Sequence, residues 1–137
     1  MISLTIFDLQ ELMPHAQASD LARFLPHIIQ AITTYEIDTP RRLSALIAII
    51  ADESKELSQP IELEDIELKC DPDEIMELAK FWDELQLNDY ADVNNLIEVA
   101  NRMTCGHDGP DGFAAKALYF EKAKKLFTRD GRASATY

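Results

Sequence analysis

The residues able to do chemistry are unevenly placed along this chain. Between Asp52 and Glu98 stand sixteen Asp and Glu side chains against Lys55, Lys69 and Lys80, a net of −13 that offers many acids and bases for proton transfer. A solvated acidic surface that keeps the chain soluble is the plain alternative. Cys105, His107 and Asp108 raise a thiol–imidazole–carboxylate arrangement, yet the interval is short and the loop glycine-rich, so an ordinary loop is expected. His15, His27 and His107 are isolated and neither Cys70 nor Cys105 has a CxxC partner, so no metal and no cofactor are expected. Lys122, Lys124, Lys125, Arg129 and Arg132 form a basic cluster able to touch phosphate. Cations near a helix C-terminus are also what the helix dipole favours, and that simpler account is preferred. Trp82 offers a face to a sugar, but at helical spacing with Ile75, Leu78 and Leu85 it is expected in the core.

Such residues need a packed body to hold them. With 137 residues, 47% hydrophobic, the chain is sized for one domain, expected over 1–128, with 129–137 a mobile tail. Six Pro and four Gly are sparse punctuation for an all-β protein, and alternating stretches are nearly absent, so the fold class expected is all-α. The net charge is −12, and residues 101–137 reverse the sign with seven Lys/Arg against four acids. Direct binding of nucleic acid is disfavoured, because phosphate contacts need clustered cations; a basic protein surface or a neutral ligand is easier to accommodate. No Lys or Arg precedes Arg23, so the basic start of a signal peptide is lacking, and no apolar run is long enough to span a bilayer. A cytoplasmic protein, not a membrane protein, is expected. Cys70 and Cys105 fit a reducing compartment as free thiols, with their pairing left open.

The prolines and capping residues divide the chain into about six helices. Thr5 and Asp8 read as a capping box before Leu9, Leu12 and Met13, with Pro14 ending that short helix. A second runs from about Ser19 to Tyr35, kinked or restarted at Pro26, with Leu21, Phe24, Leu25, Ile28, Ile29 and Ile32 on its apolar face. Thr39-Pro40 opens a third helix through Leu43, Leu46, Ile47, Ile49 and Ile50, apolar nearly all round and so expected at the centre. The stretch 61–69 reads as irregular or briefly extended. Asp71-Pro72-Asp73-Glu74 then opens a helix to about Gln86. Another spans roughly Asp92 to Met103, burying Leu96, Ile97, Val99, Ala100 and Met103, and a last core-facing helix carries Phe113, Ala117, Leu118 and Leu126.

Several of these segments together resemble one family. Leu12-Met13-Pro14-His15-Ala16, Phe24-Leu25-Pro26, Ile37 to Leu43 and Ala51-Asp52-Glu53-Ser54 look like the N-terminal half of glycoside hydrolase family 19 domains. The nearest in pattern are the chitinase-like endolysins of bacteriophages, which read "TP-R-x-AAFLAQ-x-x-HES" there. Phe81-Trp82 through Asp92, Ala100-Asn101-Arg102-Met103 and Tyr119-Phe120-Glu121-Lys122-Ala123-Lys124 are similar to that family's later blocks. The resemblance implies a compact lysozyme-like helical domain. It also implies a glycan polymer substrate of the chitin or peptidoglycan type, reached in the cell wall only through phage release.

Inverting hydrolysis needs a protonated carboxyl as acid and a carboxylate as base for water, roughly 6.5–9.5 Å apart. By the resemblance, Glu53 is the acid of "HES" and Glu62, nine residues on, is the base. Thr104 and Asp108 fall in the family's sugar-contacting loop, where amides are usual. The family's long cleft-forming stretch is missing between Glu62 and Phe81, and Asp52 replaces its histidine, setting a second carboxylate beside Glu53 where the two charges disfavour each other. Two expectations follow. One is a glycan hydrolase using Glu53 and Glu62. The other is an inactive, phage- or prophage-derived acidic protein that binds and inhibits a basic or nucleic-acid-binding partner through Glu64, Glu67 and Asp73.

Overall fold

A computed structural model describes residues 3–59, 61–63, 66–68, 74–104 and 109–129. The described residues form a mostly helical domain of seven helices and one small hairpin: α1 (Ile6–Leu12), α2 (Ala18–Thr34), α3 (Pro40–Glu53), β1 (Ile61–Leu63), β2 (Ile66–Leu68), α4 (Ile75–Glu84), α5 (Leu87–Asp92), α6 (Leu96–Thr104) and α7 (Gly109–Phe127). The stretch expected to be irregular or extended is thus an antiparallel pair, with Ile61 opposite Leu68, Glu62 opposite Glu67 and Leu63 opposite Ile66. The proposed helix opening at 71–73, Cys70, the loop 105–108 and the tail beyond Arg129 lie outside the described residues.

Helix α3 is the axis of the fold, for the reason its composition gives. The Thr39 hydroxyl caps it by accepting the Arg42 amide at 3.3 Å, Pro40 occupies the first turn, and all nine residues from Leu43 to Ala51 are buried, Ser44 being the one polar side chain among them. Its main neighbour is α7, while α5, α6 and β1 cover other sides. At the start of the chain, Thr5 and Asp8 exchange the two bonds of a capping box at 2.8 and 3.3 Å, as their spacing predicts.

Four expectations about the helices need correction. Helix α2 continues through Pro26 with no restart; the proline lies on the exposed face, so the missing amide is lost where water can satisfy the carbonyl it would have bonded. Gln86, at φ 56°, ends α4 and starts α5, a short helix the sequence pattern did not reveal. Asn94, at φ 58°, makes a second left-handed break, and α6 begins only at Leu96, with the Asn95 side chain accepting the Glu98 amide at 3.2 Å. That start leaves Ile97 56% exposed rather than buried; Ile29 and Leu118 likewise point outward.

Two polar contacts fasten α5. The Trp82 indole N–H donates to Asn88 Oδ1 at 3.0 Å, and the Asn88 amide donates to the Tyr35 carbonyl at 3.1 Å, so the fully buried Trp82 is a core residue with its one polar atom satisfied. Arg42 grips Asp92 with two parallel bonds of 2.8 Å, joining the start of α3 to the end of α5. Arg129, expected in the tail, is instead held against Glu11 at 3.3 Å.

Candidate functional site

The most unusual chemistry sits where α3 ends against α7. Asp52 and Glu53 close α3 at the negative end of its dipole, in a last turn that holds no basic residue of its own. Two carboxylates there are unfavourable without a cation. Lys116 of α7 provides one: its Nζ lies 2.5 Å from Asp52 Oδ2 and 2.6 Å from Glu53 Oε1. The Lys116 side chain is 0% exposed, and those of Asp52 and Glu53 are 12% and 15% exposed. The repulsion expected between the neighbouring carboxylates is therefore resolved by an ammonium shared between them. Glu53 is thereby engaged as an acceptor of the Lys116 ammonium, whereas a general acid must carry a proton to give to its substrate.

Lys116 was not legible as a partner, yet its position carried a signal. Lys116, Phe120, Ala123 and Phe127 recur at steps of four, three and four, so the lysine stands in the apolar stripe of α7, and all four are buried. A lysine in such a stripe is almost never fully buried unless paired.

Immediately after α3 the backbone reverses in an uncommon way. Lys55, Glu56 and Leu57 have φ of 49°, 56° and 68°, three successive non-glycine residues in the left-handed region, each costing roughly 1–2 kcal/mol. The buried Ser54 hydroxyl supports this turn by donating to the Ile50 carbonyl at 2.5 Å and accepting the Leu57 amide at 2.9 Å. The turn aims Glu56 inward, where one carboxylate oxygen accepts the His15 amide at 2.9 Å and the other accepts the Tyr119 hydroxyl at 2.8 Å. Glu56 thereby clamps the α1–α2 connection to α7. Burial pushes the Tyr119 phenol well above its ordinary range, and the hydrogen bond to Glu56 and the charges of Glu56 and Asp52 push the same way.

Beside Glu56 and Tyr119 runs an apolar groove of about 340 Å³, floored by Leu12, Pro14 and Ala115 and edged by Leu118 and Lys122. Leu118 is 75% exposed at its rim.

The sequence-predicted site residues are only partly brought together. Glu53 is in the ion-pair cluster. Glu62 lies in β1, which packs against α3, and it faces Glu67 of β2 in register. Thr104 is the last residue of α6. Glu64, Asp73 and Asp108 lie outside the described residues, as do Cys105 and His107. Among the described residues no group of three or more His, Cys, Asp or Glu side chains is placed to hold a metal ion, and no helix is long and apolar enough to cross a membrane. No family model, curated protein or solved structure matches the chain.

Proposed function

We propose that this chain is a chitinase-like helical scaffold that does not cleave glycans and acts instead by binding a basic, nucleic-acid-binding protein through its acidic surface. The observation that carries the proposal is the buried Lys116 shared by Asp52 and Glu53. It supports a Glu53 engaged in holding α7 against α3 in place of a proton donor. The −13 segment from Asp52 to Glu98, with Glu62 and Glu67 facing each other in the hairpin, supports a cationic partner. Bacterial cell walls are anionic, so a strongly acidic lysin would be repelled by peptidoglycan in its wall.

The test is displacement. A Lys/Arg-rich DNA-binding domain carrying a labelled duplex is titrated with the protein. The duplex is expected to be released, with release weakened by added salt and by the triple change Glu64→Lys, Glu67→Lys and Asp73→Lys. No release at low salt, or release unaffected by the triple change, overturns the proposal.

One observation favours the hydrolase as a second reading. Strand β1, which bears Glu62, packs against the helix that ends in Glu53. In that case Glu53 acts as acid and Glu62 as base on a chitin-like or peptidoglycan chain.

A further inference from the structure

The basic cluster of the C-terminal region divides into two faces of α7. Lys122 donates to the Glu11 carbonyl at 2.6 Å and Arg129 pairs with the Glu11 carboxylate, so both are turned toward α1. Lys124 and Lys125 face the other way, across to the start of α3. There they line a cavity of about 260 Å³ with Pro40, Arg41, Asn94 and Thr128. The helix dipole explains why lysines are tolerated at the end of α7, but not why Arg41, from another helix, converges on them.

Three cations in one cavity are conspicuous on a chain of net charge −12. Arg41 and Lys125 keep most of their donors for a ligand, and Lys124 is positioned by its neighbours. Arg41 spends one guanidinium donor on the Asp92 carbonyl at 2.5 Å, and a guanidinium has five. The Lys124 ammonium reaches Glu121 at 3.1 Å, an exposed pair of small worth, donates to Asn94 Oδ1 at 3.5 Å and lies 4.2 Å from the Phe120 ring centre, contacts that hold it at the cavity wall. Lys125 makes no ion pair among the described residues. Asn94, whose Oδ1 accepts the Lys124 ammonium, and Thr128, whose hydroxyl donates to the Lys124 carbonyl at 2.8 Å, line the same cavity.

We propose that this cavity binds a small phosphate monoester. A planar guanidinium and two ammonium groups match a compact dianion, with Arg41 donating in pairs and the lysines acting as point charges. The volume suits one phosphate with a short substituent and lies below the size usual for drug-sized ligands. A polynucleotide fits poorly, since three cations neutralise few phosphates while the rest of the chain repels the strand.

The experiment is an amide-resolved NMR titration of the whole protein with inorganic phosphate and with glycerol 3-phosphate. Phosphatidylcholine vesicles, with and without phosphatidic acid, form a separate arm. Saturable shifts confined to the surroundings of Arg41, Asn94, Lys125 and Thr128 are expected with both soluble probes. The exposed changes Arg41→Gln and Lys125→Gln are expected to weaken binding at least about tenfold together, as lost charge-assisted bonds should. Lys80→Gln, on another face, leaves it unchanged. Absence of saturation, shifts spread evenly over all basic residues, or binding only to the anionic vesicles overturns the assignment.

Discussion

Removing the ammonium of Lys116 is the sharpest perturbation of the cluster. Lys116→Met keeps a long, flexible side chain of similar length in the apolar stripe of α7 but leaves Asp52 and Glu53 facing each other, 12% and 15% exposed, at the negative end of α3. Breaking a buried pair by deleting one partner costs about 3–5 kcal/mol. For a domain of this size each kcal/mol lowers Tm by roughly 3–4 °C, so the midpoint should fall by about 9–20 °C. The control is the triple variant Asp52→Asn, Glu53→Gln, Lys116→Met, in which the three described charges are removed together. Because a fully neutral replacement of a buried ion cluster is often close to neutral in stability, most of the loss should return. Thermal and urea unfolding followed by circular dichroism reads both. A loss below about 1 kcal/mol for the single variant, the size of an exposed pair, would refute a buried, mutually dependent cluster. So would a triple variant no more stable than the single one.

Tyr119→Phe removes one bond to the Glu56 carboxylate and should cost about 1.5–3 kcal/mol by urea unfolding, while leaving far-ultraviolet circular dichroism unchanged. Because the folded state holds the Tyr119 phenol above its unfolded value of about 10, the unfolded chain loses that proton first, so stability falls as pH rises beyond about 10. Absorbance titration of the four tyrosines should show one that ionises only after the others, and Tyr119→Phe should abolish that late step. Gln86→Gly relieves a left-handed residue that makes no side-chain cap and should raise stability by up to about 1 kcal/mol, whereas Thr39→Ala, which deletes the cap of α3, should lower it by about 1 kcal/mol.

The fold was legible wherever local chemistry and tertiary need agree. Thr5 with Asp8 and Thr39 with Pro40 mark helix starts by bonds made within a few residues, and the apolar run of α3 can only be central. Trp82 follows its stripe into the core. Features fixed by backbone reversals were hidden. Gln86 and Asn94 carry no glycine signal, so the separate α5 and the late start of α6 were missed, and with them the outward direction of Ile97. The site was legible by half. Asp52 and Glu53 stood out as adjacent carboxylates, but the lysine that joins them is more than sixty residues away, and its type argues for the surface. Only its place in the stripe with Phe120 and Phe127 pointed inward. The turn 55–57 was invisible for the same reason as Gln86: three non-glycine residues take left-handed angles because Ser54, Tyr119 and the His15 amide hold them there.

The role of Glu53 is tested most directly by turnover. Purified, folded protein is incubated with chitin oligosaccharides and with peptidoglycan, beside a Glu53→Gln variant whose circular dichroism is unchanged. With Glu53 held by the Lys116 ammonium, both proteins should give product only at the rate of the blank. Product formed by the unaltered chain and abolished by Glu53→Gln would contradict the account and establish Glu53 as a working acid.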